Sequence, residues 1–167
     1  MILLLFIHGI CRSNDMKTLF FKLSLCVLVG GLIGCVSVPV VSKTEVALNG
    51  VTIGQEKQAI IKLLGEPIYR ITLEGYHDLL FKYKNIDIYF YDDKIDEIYT
   101  DDPSVCTPLN VCPGNSLARL REIYGWSPLR NKNDQFIATY LLAGSDCWLD
   151  FLISEGRVSS INAKCPV

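Results

Sequence analysis

The feature that most constrains this chain is a glycine-bounded segment that occurs twice. The first copy runs from Ile53-Gly54 through Ala59-Ile60-Ile61-Lys62-Leu63-Leu64 to Gly65-Glu66-Pro67, and the second from Pro113-Gly114 to Gly125-Trp126-Ser127-Pro128. In both, the two glycines stand eleven positions apart and apolar residues match between them: Ile60 with Leu120, Leu63 with Ile123, Leu64 with Tyr124. A glycine shortly before a proline stops a short amphipathic helix, because glycine takes the left-handed conformation and proline cannot continue the ladder. Each segment therefore predicts a helix, the first presenting Ala59, Ile60, Leu63 and Leu64 on one apolar face.

Strand periodicity follows each helix. Behind the first come residues 68–73, a turn at Glu74-Gly75, residues 77–83, a turn at Lys84-Asn85, residues 86–91, a turn at Asp92-Asp93, and residues 95–99. Behind the second come residues 136–142, 147–153 and 157–163, with turns at Gly144-Ser145 and Gly156. Leu149, Phe151, Val158 and Ile161 take the places of Ile88, Phe90, Ile95 and Ile98. A unit of about 60 residues is marginal by itself, so two would merge their apolar faces. The expected fold is α+β: two tandem helix-plus-antiparallel-β-meander units, 50–105 and 106–167, sharing a two-layer helix-on-sheet core.

Ahead of these units lies a leader. From Met16 the chain carries Lys17, Lys22 and an apolar run over 23–33 that ends in Gly34-Cys35, too short to span a bilayer and shaped like a secretory signal peptide over 1–34. Residues 1–15 precede an ordinary start at Met16 and receive no function. Leu32-Ile33-Gly34-Cys35 resembles the bacterial lipobox. That resemblance implies cleavage before Cys35 and its lipidation, so that residues 35–49 form a lipidated tether. Val36, rather than Asp, further implies sorting to the outer membrane with the domain facing the periplasm.

Of seven cysteines, Cys11 and Cys26 leave with the leader and Cys35 takes lipid, so Cys106, Cys112, Cys147 and Cys165 remain. An even number in an exported chain argues for disulfides. Three connectivities are open, and local geometry favours Cys106 with Cys112 and Cys147 with Cys165. A zinc site is the weaker reading, with no CxxC spacing and His77 remote from the cysteines.

Without the leader the chain carries a net charge of about −4, which argues against nucleic acid. The acidic cluster Asp92, Asp93, Asp96, Glu97, Asp101 and Asp102 lacks calcium-loop spacing and reads as a solvated turn and strand edge. No metal, cofactor or catalytic residue is expected: His77 and Asp78 would point to opposite strand faces, and no nucleophile elbow or phosphate loop occurs. Alternation instead turns Tyr89, Tyr91 and Trp148 out from the sheet face away from the helices, where two readings stand side by side: exposed aromatics as partner-binding anchors, or rings that cover the sheet and stack across strands.

The first segment resembles the SmpA/OmlA family of small outer-membrane lipoproteins, whose pattern is glycine, five residues, an aliphatic, three residues, Leu-Gly-x-Pro. Gly54, Ile60, Leu64, Gly65 and Pro67 fit it; the second copy keeps Gly114, Leu120 and Gly125, with Tyr124 for leucine and Pro128 one place late. The resemblance implies an envelope structural or assembly factor acting through protein contacts, with the barrel-assembly machinery as a partner. The tandem pair also resembles the β-lactamase-inhibitor-protein fold, which implies a protein inhibitor or immunity-type module as the alternative.

Overall fold

The structure, a computed structural model, describes residues 39–45, 47–132 and 135–165; the leader and Cys35 lie outside them. The described residues all belong to one compact unit, Val36–Val167. They form, in chain order, β1 (Val40–Val41), β2 (Ala47–Leu48), β3 (Val51–Thr52), α1 (Lys57–Leu64), β4 (Tyr69–Thr72), β5 (Leu79–Lys82), β6 (Asp87–Tyr91) and β7 (Lys94–Thr100). There follow α2 (Leu117–Tyr124), β8 (Leu129–Lys132), β9 (Gln135–Leu142), β10 (Trp148–Ser154) and β11 (Arg157–Lys164). A single nine-stranded sheet runs β1-β9-β10-β11-β7-β6-β5-β4, with β8 also on β9; β2 and β3 make a separate hairpin.

The glycine spacing has a local cause. Gly54 (φ +85°) and Gly114 (φ +92°) sit in left-handed backbone that lets the chain leave a sheet contact and enter a helix. Gly54 N–H donates to Ile95 O at 2.7 Å and Ile95 N–H to Gln55 O at 2.9 Å, while Gly114 N–H donates to Val158 O at 2.7 Å and Val158 N–H to Asn115 O at 2.8 Å. Each helix start is thus pinned to the last strand of a hairpin. Each helix end is held too: the Tyr83 hydroxyl donates to Gly65 O at 3.0 Å and the Tyr140 hydroxyl to Gly125 O at 2.9 Å. Ser116 caps α2 by accepting from Arg119 N–H, whereas Glu56 makes no side-chain cap at α1.

This is not the expected α+β pair of tandem units with a two-layer core. The protein is mostly β, and strands from both halves join one mixed sheet through β7 and β11, where Ile98 faces Ala163 and Thr100 faces Ile161. The helices are too short to make a layer: eight residues span about 12 Å. Of the expected apolar face of α1, only Ile60 is buried, and Leu63 is 53 % exposed. The core is instead the inner face of the sheet, with Phe81, Ile88, Phe90, Ile95 and Ile98 continuous with Tyr140, Leu149, Phe151, Val158 and Ile161.

Two further expectations shift. Ile88 pairs with Ile98 and Phe90 with Ile95, while Phe151 pairs with Ile161 and Ile153 with Val158, so the true counterparts of Ile88 and Phe90 are Phe151 and Ile153. Part of the segment assigned to the tether is folded. Val40 and Val41 pair in parallel with Leu141 and Leu142, and Glu45 is buried, accepting from the Tyr124 hydroxyl at 2.6 Å. The four cysteines pair as Cys106–Cys112 and Cys147–Cys165, the first closing the loop between β7 and α2, the second joining the start of β10 to the end of β11. Among the described residues no helix is long and apolar enough to cross a membrane.

Candidate functional site

Because side chains alternate along each strand, burying one face of the sheet leaves the other free for chemistry. Cross-strand pairing lines up one row on that outer face: Ile71, Leu80, Tyr89, Glu97, Lys164, Trp148 and Leu141, contributed by β4, β5, β6, β7, β11, β10 and β9. All three aromatics expected outside belong to this face. They divide between two surroundings on either side of Lys164.

In the first surrounding, residues 73–78 fold back over the sheet. Leu73 N–H donates to Asp78 O at 3.0 Å, Asp78 N–H to Phe90 O at 2.9 Å, and Asp92 N–H to Asp78 Oδ2 at 2.8 Å. This anchoring drops His77 onto Tyr89, ring centroids 4.9 Å apart, and stacks Tyr76 on Tyr91 at 5.6 Å. Tyr89 is therefore half-buried and Tyr91 is 39 % exposed. The imidazole Nε2 lies 3.2 Å from Asp96 Oδ2 and 3.4 Å from Glu97 Oε2. Glu97 is well matched, accepting from Lys164 Nζ at 2.6 Å and Asn162 Nδ2 at 2.8 Å. Asp96 is 5 % exposed and neither of its carboxylate oxygens makes a hydrogen bond. Burial pushes its carboxyl above the usual carboxylate range, with the nearby His77 pulling the other way, and burial likewise pushes the Tyr89 phenol up.

The acidic cluster was expected to be a solvated edge, and the structure corrects this for Asp96, which is buried, and Glu97, which is half-buried. His77, for which no working partner was expected in Asp78, faces these two carboxylates instead. A β-bulge opposite Tyr89 and Phe90 inserts Asp96 as an extra residue on β7, so its carboxylate lies beside that of Glu97 under His77 on the outer face, which simple alternation does not foresee. The available signal was the break in apolar period between Ile95 and Ile98, where two residues rather than one separate the inner positions.

In the second surrounding, Trp148 is half-buried and walls an open cleft of about 600 Å³ with Pro128, Ile137, Leu141, Arg130 and Asp150. Its indole Nε1–H donates to Asp150 Oδ2 at 3.1 Å, which fixes the ring. The Thr139 hydroxyl bonds Asp150 Oδ1 and accepts from Arg130 Nη2 at 2.5 Å. The guanidinium is exposed and uses one of its nitrogens in this contact, so the cleft offers an apolar wall, a fixed indole and charged-group donors at its rim. That suits binding of an amphipathic segment.

No family model matches the chain. No curated protein matches it. Among solved structures it is similar to an extracellular protein containing an SCP domain from Bacillus anthracis, with a TM-score of 0.51 and 11 % identity over 68 % of this chain and 44 % of that one. It also matches a DUF4309 family protein from Bacillus subtilis, at TM-score 0.49 and 18 % identity over 71 % of this chain and 84 % of that one. A cysteine-rich secretory protein from Staphylococcus aureus gives TM-score 0.48 and 12 % identity over 74 % of this chain and 48 % of that one. The chain spans less than half the length of the first of these, and identities this low speak to fold alone.

These findings overturn the resemblance to SmpA/OmlA lipoproteins and to a tandem β-lactamase-inhibitor-like architecture. No family model matches, and the likeness at TM-score 0.51 is to part of a protein containing an SCP domain. The physical reason lies in the motif: Gly54 and Gly65, like Gly114 and Gly125, are spaced by the needs of a two-turn helix pinned at both ends to a sheet.

Proposed function

We propose that this chain is an exported, lipid-tethered binding domain that acts through protein contacts at the bacterial outer membrane, with the outer sheet face as its contact surface. The observation that carries the reading is the open cleft beside Trp148. A fixed indole flanked by Leu141 and Ile137, with Arg130 and Asp150 at the rim, has the make-up of an interface centre, where Trp and Arg dominate binding energy. In this reading Cys35 carries the lipid, and the two disulfides suit a chain that matures outside the reducing cytoplasm. His77 and Asp96 meet beneath the 73–78 loop, where the imidazole is shared between two carboxylates instead of facing an open cleft. That arrangement favours a structural role over general-base catalysis.

The test is made in cells. A photo-crosslinking residue at Leu141 should trap one defined envelope protein, and Trp148→Ala should abolish the product. A variant that crosslinks as well as the parent would defeat the reading. The tether is tested separately: Cys35→Ala should accumulate unprocessed precursor, and membrane fractionation of the parent should place it with the outer membrane.

A further inference from the structure

The two ends of the sheet are finished differently. At one end β9 is covered by β1 and by β8, and β8 carries the exposed Arg130, the kind of charge that blunts an edge strand against foreign pairing. At the other end β4 is the last strand, and Ile68, Tyr69 and Ile71 are 59 %, 63 % and 39 % exposed. The register of β4 shows which of its main-chain groups are engaged. Tyr69 pairs with Lys82 and Ile71 with Leu80, in phase with the Leu73 N–H bond to Asp78 O, so these odd-numbered residues spend their main-chain groups on β5. The N–H and C=O of Arg70 and Thr72 then point away from the sheet, as alternation in an antiparallel ladder requires. β4 is an open edge with two residues ready to pair, and its one charged side chain, Arg70, is already paired with Glu66.

We propose that β4 is a self-association edge: two copies of this chain pair antiparallel through β4 about a two-fold axis at Ile71, extending the sheet across both. The sequence of the strand is complementary to itself in that register. Arg70 and Thr72 of one copy face Thr72 and Arg70 of the other, which gives four main-chain hydrogen bonds from the groups that point outward. Ile71 meets Ile71, and Tyr69 meets Leu73, so the exposed apolar side chains cover one another on the outer face. A register centred on Arg70 would oppose two guanidinium groups. One centred on Thr72 would run the ladder past the end of β4 into Glu74 and Gly75, where the chain bends. Only the register about Ile71 avoids both costs. The contact is small beside a standard interface, so the dimer is reversible and depends on concentration.

Sedimentation equilibrium of the Val36–Val167 unit, which contains the whole sheet and both disulfides, tests this between about 1 µM and about 1 mM. A monomer–dimer equilibrium is expected. Thr72→Pro should weaken it at least about tenfold without costing a β4–β5 bond, because that N–H points outward. Ile71→Lys, which leaves every main-chain group in place, should weaken it equally and guards against a proline that disturbs folding. Ile71→Cys should form an intermolecular disulfide on mild oxidation, the Cα atoms of a facing non-hydrogen-bonded pair lying about 4.5 Å apart, and Thr72→Cys should form little. A monomer at every concentration would overturn the proposal and leave the edge to a strand of another protein. A dimer indifferent to both substitutions, or crosslinked through position 72 rather than 71, would overturn it as well.

Discussion

The hairpins β6–β7 and β10–β11 share a backbone and differ in what they place on the outer face. In each, one residue is inserted at the same point. Tyr89 pairs with Glu97 and Phe90 with Ile95, leaving Asp96 extra; Leu152 pairs with Ser160 and Ile153 with Val158, leaving Ser159 extra. The first bulge supplies two carboxylates on which the 73–78 loop lays His77. The second supplies two serines, of which Ser159 bonds the Leu152 carbonyl at 3.2 Å. One strand over, Lys82 pairs with Asp87 and Thr139 with Asp150. The ammonium of Lys82 reaches its carboxylate at 2.5 Å, and that hydrogen bond holds it protonated to higher pH than usual. Thr139 is short, and the space it leaves is the Trp148 cleft. The difference teaches that the two halves share the core on the inner face, which frees the outer face to be closed over one half and open over the other.

The largest expected effect tests that premise. Phe151→Ala and Ile88→Ala remove equivalent, fully buried side chains from the inner face, and should cost about 3 to 5 and about 2 to 5 kcal/mol in denaturant unfolding. A loss under about 1 kcal/mol at either would show that the two halves do not share one core. The disulfides come next. Cys147–Cys165 closes a separation of 18 residues and Cys106–Cys112 one of 6, so removing the first as a double serine variant should cost about 3 kcal/mol and the second about 2. The reverse order would mean that strain or residual structure, not loop closure, sets their worth.

How much of this was legible beforehand depends on which interactions set each feature. The helices, the hairpin turns and the inward set Ile88, Phe90, Ile95 and Ile98 follow from local rules of capping, turn chemistry and period-two alternation, and the sequence displays those directly. The counterparts in β10 were misassigned by two residues because such a slip keeps every side chain on the same face; only pairing partners reveal it. β8 was unread because Leu129-Arg130-Asn131-Lys132 is polar and gains its place by pairing with β9. The single sheet was unreadable for a like reason: the β7–β11 pairing joins residues more than sixty positions apart. Trp148 could be turned outward from the sequence, yet its cleft depends on Thr139 and Arg130 arriving from other strands.

A smaller effect separates the closed half by pH. The Asp96 carboxyl titrates above its ordinary range in the folded protein, and the groups facing it are His77 from the loop, Glu97 beside it and Lys164 from β11. Between the ordinary aspartate value of about 4 and that raised value, the folded state binds more protons than the unfolded one, so stability falls as pH rises. Asp96→Asn removes this loss. Urea midpoints for parent and variant should therefore diverge, in the variant's favour, as pH rises from about 4; parallel profiles would show that His77 already balances the buried carboxylate.

The smallest expected effect on stability is the most informative about the open half. Thr139→Lys places beside the second hairpin the residue that Lys82 is beside the first, so the new ammonium can pair with Asp150 as Lys82 pairs with Asp87. An exposed or half-exposed ion pair contributes little, and the change should move the unfolding free energy by no more than about 1 kcal/mol. Its consequence falls on space: the lysine stem fills the floor of the cleft between Trp148 and Arg130, and the indole loses access to solvent. Quenching of tryptophan fluorescence by acrylamide should fall in Thr139→Lys relative to the parent, with the exposed Trp126 as the unchanged background. If the cleft is the contact surface, the same substitution should weaken capture at Leu141 at least about tenfold. Unchanged capture with reduced quenching would separate the cleft from the contact and leave Tyr91, on the closed half, as the aromatic to examine.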